Sequence, residues 1–186
     1  ARRYFRWIGP ATPAEFQGFS ALGVKATKAA LEPLGLVALE PGGERLIFPD
    51  DRDALLGFKP PKEPRYSLVS SLDAIVLHRR DHKSLLDEKD IARKMMGDKV
   101  MATLNSLSDL PSHAILDRGR LVGLWEYDTN TQSIVWVSFG AKNAQMTASV
   151  RETEQYIRED LGDARSFSLD SPKSRAPRIE ALRTSR

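Results

Sequence analysis

Lys25 and Lys28 are the pair in this chain best placed to act on something outside it. They stand three residues apart in a helical pattern over residues 24–34, so both ammonium groups fall on neighbouring surface. Near a helix start, where backbone amides add positive potential, two lysines suit phosphate oxygens. The same two residues would also make the wet side of an amphipathic helix. Arg2 and Arg3 at the amino end add cations, as do Arg79, Arg80 and Lys83 in the run His78-Arg79-Arg80-Asp81-His82-Lys83. Together they describe a surface for a polyanion.

Other chemistries are poorly served. Absence of cysteine excludes disulfides, thiolate metal sites and cysteine nucleophiles. His78 and His82 are four apart and could share a metal on a helix. The remaining histidine is His113, and no Glu follows His78 as zinc-protease chemistry needs, so no metal and no cofactor is expected. No Ser–His–Asp pattern or glycine-rich phosphate loop stands out, and catalytic residues stay unassigned.

The chain of 186 residues is 41% hydrophobic and 28% charged, the balance of a soluble globular protein. No run of about 18 apolar residues occurs, so no membrane partner is expected. Gly9-Pro10 stops any apolar stretch after Arg2, Arg3 and Arg6, so no signal peptide is read and the cytoplasm is the default compartment. The chain opens at Ala1 inside a helical pattern, without Met, and is expected to be a piece of a longer protein. Its net charge is +3, and residues 171–186 alone carry five cations against Glu180. That segment reads as a basic tail, either a solubilising one or an arm for phosphate.

The lysines need elements to hold them. Tyr4, Phe5, Trp7 and Ile8 suit a short buried helix ended by Gly9-Pro10. Thr12-Pro13-Ala14-Glu15 is a helix-start signal, in which the Thr12 hydroxyl and Glu15 carboxylate can each meet the other's amide. A third helix uses Ala26, Ala30, Leu31 and Leu34 as its apolar stripe and weakens at Pro33. Residues 36–40 and 45–48 read as two strands around Pro41-Gly42-Gly43-Glu44. Helix, helix, helix, hairpin is the winged helix-turn-helix order, which can present one helix and a basic turn to double-stranded DNA. No Arg, Asn or Gln on the third helix could bridge a base edge, so backbone contact with weak sequence specificity is expected.

Residues 50–58 read as one more helix with Leu55, Leu56 and Phe58 inward, and three prolines within residues 60–64 mark a linker. Beyond it, residues 67–86 supply apolar core positions and residues 87–99 a charged connector or short helix. Residues 113–117, 121–127 and 133–139 read as strands, with Trp125, Tyr127, Trp136 and Phe139 anchoring a small curved sheet. Residues 143–161 form the long helix, stopped by Gly162, and residues 166–169 a last strand. The fold class is α+β: a winged helix over residues 1–58, a small antiparallel sheet or barrel-like unit with a long helix over residues 65–170, and the tail.

With these motifs placed, Arg3-Tyr4-Phe5-x-x-x-Gly9-Pro10-Ala11-Thr12 resembles the start of a repeat in the tandem winged-helix DNA-binding proteins, the family of the bacterial AlkZ-type DNA glycosylases. Ser70-Ser71-Leu72-Asp73, Arg79-Arg80 and Gly119-Arg120-Leu121-Val122-Gly123-Leu124-Trp125 are similar to that family's later, barrel-like segment. The likeness spans most of residues 1 to 165. It implies DNA binding in repair, removal of alkylated purines by the active members, and a bacterial cytoplasmic location, nucleoid-associated if the chain is DNA-bound. Members with that activity carry a Gln-apolar-Gln or Gln-apolar-Asp motif in an upstream winged helix. Gln17, Gln132, Gln145 and Gln155 here lack Gln or Asp two positions on, so no catalytic residue carries over. A complete glycosylase with unrecognised active residues, or a protein-interaction module, are the alternatives. The oligomeric state is not legible.

Overall fold

The structure is a computed structural model of residues 1–186 and describes all of them except Arg79, Arg80, Asp81, Asp98, Lys99, Ser108, Ser168 and Arg186. The chain divides into two compact units, Ala1–Pro60 and Pro61–Arg186. The whole is a mixed α+β fold with small antiparallel sheets and a long helix.

In the first unit, α1 (Arg2–Ile8) turns Tyr4, Phe5 and Ile8 inward and ends at Gly9. A Cβ at Gly9 would lie 2.3 Å from the Phe5 carbonyl oxygen, so only glycine fits that approach. Helix α2 (Pro13–Ser20) starts on the expected reciprocal cap: the Thr12 amide donates to Glu15 Oε2 at 2.6 Å and the Glu15 amide to Thr12 Oγ1 at 3.1 Å. Helix α3 (Val24–Leu31) runs into a 3₁₀ turn, Glu32–Leu34, where Pro33 ends regular hydrogen bonding. Strands β1 (Val37–Ala38) and β2 (Leu46–Ile47) pair antiparallel and are shorter than expected. Helix α4 (Pro49–Gly57) follows. Tyr4, Phe5 and Phe16 form an aromatic cluster, with Tyr4–Phe16 ring centroids 5.3 Å apart and Phe48 in the same core. Trp7, expected inside, is 76% exposed, because Phe5 and Ile8 already take the buried face.

In the second unit, β3 (Tyr66–Val69), β6 (His113–Asp117), β7 (Arg120–Asp128) and β8 (Ser133–Ser138) form one antiparallel sheet in the order β3-β6-β7-β8. Between β3 and β6 come the short α5 (Ala74–Leu77) and a hairpin of β4 (Lys94–Met96) and β5 (Met101–Thr103), where a connector was expected. Ser166, Phe167 and Leu169, expected in a strand, lie outside any. Helix α6 (Ala144–Tyr156) starts on an Asn143 cap, continues as a π turn, Ile157–Leu161, and stops at Gly162 with φ 74°. Val150 and Ile157 pack with Ile115, Trp125, Tyr127 and Ile134 on one face of the sheet.

The segment read as a tail holds α7 (Pro172–Thr184). Leu182 joins Leu116, Leu121, Leu124 and Val137 on the sheet's other face. A register irregularity between β6 and β7 leaves Val122 out of the pairing, since Ile115 faces Gly123 and Leu116 faces Leu121. Beyond that bulge the period of two sends Trp125 and Tyr127 to the α6 face and Leu124 to the α7 face.

Candidate nucleic-acid interface

Helix α3 is placed by what it buries. Thr27 is buried, and Ala30, Leu31 and Leu34 lie half-buried against the aromatic core. The stripe therefore runs through Thr27 rather than Ala26, because Thr27 sits three and four residues before Ala30 and Leu31 and shares their face. Ala26 is exposed, and so are Lys25 and Lys28. The structure brings those two lysines to the open side of one helix.

The hairpin contributes no such charge. Its turn exposes Glu40 and Glu44. Arg45 is turned inward, donating to Glu15 Oε1 at 3.0 Å and to the Pro10 carbonyl at 3.0 Å, which ties the hairpin to the start of α2. The expected basic turn is thus acidic at its surface, and the cationic face of this unit belongs to its helices. Arg2 and Arg3 are exposed on α1, with the Arg2 guanidinium 5.6 Å from the Phe48 ring centroid. Arg6 is committed to Asp50 and Asp51 at the first turn of α4, where acidic groups also meet the helix dipole. The hydrogen bond with Asp50 raises the Arg6 pKa and lowers that of Asp50.

In the second unit Lys83 is exposed in a 3₁₀ turn, His82–Leu85. Arg79 and Arg80 lie outside the described residues. His78 caps the end of α5 while His82 belongs to that separate turn, so the two histidines do not share a helix. No group of three or more His, Asp or Glu that could hold a metal occurs among the described residues.

Sequence reasoning missed a buried ionic network between β7 and α7. Glu126 follows Leu124 by two and shares its face, although its surface is 0% exposed. It accepts from Arg178 Nε at 2.9 Å and from Ser166 Oγ at 2.9 Å, and Arg178 also donates to Asp170. Arg175 donates to the Ala164 carbonyl at 2.8 Å and pairs with Asp163. Arg183 pairs with Asp128. Burial raises the Glu126 pKa against the pull of Arg178 and Ser166. Burial also raises that of Asp128, but the Asn130 amide and Arg183 outweigh it and the net shift is downward. The readable signal was Glu126 between Trp125 and Tyr127 in an apolar strand, with Arg175 and Arg178 on the same helical stripe as Ile179 and Leu182. So enclosed a carboxylate cannot reach a substrate; this network fixes α7 to the sheet.

His113 sits deep in the same unit. Its Nδ1 accepts from the Ser71 amide at 3.0 Å, so the ring proton rests on Nε2, 3.4 Å from the Ala164 carbonyl. The ring stacks on Trp125 with centroids 4.2 Å apart, and burial lowers its pKa from 6.5 to about 4. It is a neutral packing residue at physiological pH. Trp125 and Tyr127 are likewise core, while Trp136 is half-buried with Lys142 Nζ 4.4 Å from its centroid.

No curated protein matches the chain. Its fold is similar to the solved structure of Streptomyces sahachiroi DNA glycosylase AlkZ, with a TM-score of 0.54 and 16% identity. The match covers 79% of this chain and 40% of that one, so the matched part spans two fifths of AlkZ's length. The model of the family described as DNA glycosylase AlkZ-like matches residues 1–165, and the chain belongs to that family.

Proposed function

We propose that this chain binds double-stranded DNA as part of a DNA-repair protein of the glycosylase type. In this reading Ala1–Pro60 acts as a winged helix, with α3 against the duplex and Lys25, Lys28, Arg2 and Arg3 on phosphates. Arg79, Arg80 and Lys83 form a second cationic set. Exposure of Lys25 and Lys28 together on α3, in a member of this family, is the observation that carries it. With acidic residues at the hairpin turn and no bidentate base reader on α3, contact is to the backbone and only weakly dependent on sequence.

Anisotropy of a labelled duplex of about 20 base pairs tests it: affinity should fall by about 0.9 log unit per neutralised phosphate per log unit of salt. No binding at the lowest salt would defeat the reading. The Gln-apolar-Gln or Gln-apolar-Asp motif is absent from the sequence. The 186-residue chain alone should therefore leave alkylated duplex DNA intact, and measurable base release would make it an enzyme in its own right.

One observation favours a second reading. Leu56 and Phe58 of the first unit, expected to pack inward, are 62% and 65% exposed, and Trp7 more so. Such apolar surface suits a protein-interaction module. Salt-insensitive capture of a protein partner with negligible DNA affinity would favour it over DNA binding.

A further inference from the structure

The solvent side of α1 is built from three arginines and one tryptophan, with no acid on the helix. Arg2 and Arg6, four apart, share one edge of that side and lean on Phe48, their guanidinium carbons 5.6 Å and 4.2 Å from its ring centroid. Arg6 is also held by Asp50 and Asp51. Arg3 and Trp7, again four apart, form the other edge. Among the described residues Arg3 has no ion pair, and the Trp7 indole has no hydrogen bond and no ring contact.

Trp7 takes no part in the packing of the unit. Tyr4, Phe5 and Ile8 already fill the core beneath α1, and the indole is 76% exposed. A side chain this large and apolar gains by leaving water when a flat partner covers it. Its neighbour on the same edge is an unpaired guanidinium, so the surface complements a planar group joined to an anion. A nucleotide has that form: its base offers a π face to the indole and its phosphate offers acceptor oxygens to Arg3. In an intact duplex the base faces are covered by their stacked neighbours. An indole reaches one only where a base is unpaired.

We propose that Trp7 stacks on an unpaired base of a duplex, with Arg3 on the adjoining phosphate. The chain then prefers a duplex with an unpaired base to an intact one, whichever base it is, since every base has a π face. This site rests on the DNA-binding reading and adds to it the class of DNA that is favoured.

The experiment compares a labelled intact duplex with the same duplex carrying one unpaired adenine, by anisotropy and by tryptophan emission at equal salt. The bulged duplex should bind about tenfold tighter. It should also quench emission, which the intact duplex should not do. Trp7→Ala should abolish both the preference and the quenching, while affinity for the intact duplex and urea unfolding stay unchanged, the position being exposed. Trp7→Phe should keep part of the preference. Arg3→Gln should weaken both duplexes and shrink the preference. Equal affinity for the two duplexes, or a preference that survives Trp7→Ala, would overturn the stacking site while duplex binding stands. No binding to either duplex would defeat the DNA-binding reading and the site with it. Capture of a protein partner that Trp7→Ala abolishes, with the preference untouched, would give the indole to protein recognition instead.

Discussion

His113 shows how a single residue writes burial into pH dependence. In the folded chain it is held neutral, its pKa lowered from 6.5 to about 4 by loss of water, with the Ser71 amide occupying Nδ1. Between those values the unfolded chain binds a proton that the folded chain refuses. The contribution is therefore complete above pH 6.5 and is lost as pH falls toward 4, a change of roughly 3 kcal/mol. Glu126 works in the opposite sense: with its pKa raised above 4.5, its contribution is complete below that value and is lost as pH rises. Comparison with His113→Asn separates the two, since Glu126 is common to both proteins. Urea unfolding from pH 7 to 4 should show the wild-type advantage over the variant shrinking steadily. An advantage constant with pH would mean that His113 is not held neutral by the fold.

Whole elements were legible wherever their cause is local. The Thr12–Glu15 cap of α2, the Asn143 cap and Gly162 stop of α6, and the alternating strands β6, β7 and β8 all depend on residues a few positions apart. The hairpin of β4 and β5 escaped because each strand has three residues, too few to display a period. Helix α7 escaped for a different reason. Its inward stripe is Arg175, Arg178, Ile179 and Leu182, and the carboxylate that makes Arg178 a core residue lies 52 positions away on β7. A basic stretch without a visible partner reads as solvated; only the sheet supplies Glu126. The exposed Leu55, Leu56 and Phe58 are the converse, apolar residues at the end of a helix that are left on the surface. From this follows a prediction for α7. Arg178→Met leaves Glu126 and Asp170 buried without a cation and should destabilise the second unit by about 3 kcal/mol or more. Adding Glu126→Gln should recover part of the loss, because it removes one of the two stranded charges. A fully additive double-mutant cycle, measured by denaturant unfolding, would show that the pair does not hold the helix.

At the scale of the molecule, net charge misstates what is available to a polyanion. The +3 total and basic pI lean on residues 171–186, yet Arg175, Arg178 and Arg183 are spent on Asp163, Glu126, Asp170 and Asp128. Arg6 and Arg45 are likewise paired within the first unit. If DNA binding came from overall basicity, any exposed cation would count equally. If it comes from the α3 face, position matters. Lys25→Gln with Lys28→Gln should reduce the magnitude of the salt slope by about 2, and weaken binding to unrelated duplexes alike. Lys173→Gln removes a cation of α7 that is just as exposed, and should leave the slope unchanged. Because all three lysines point into solvent, none of these variants should alter unfolding, so a change in affinity reports contact rather than stability. Equal losses from Lys173→Gln and from either α3 lysine would replace a defined interface with diffuse attraction, and the assignment of α3 to the duplex would be wrong.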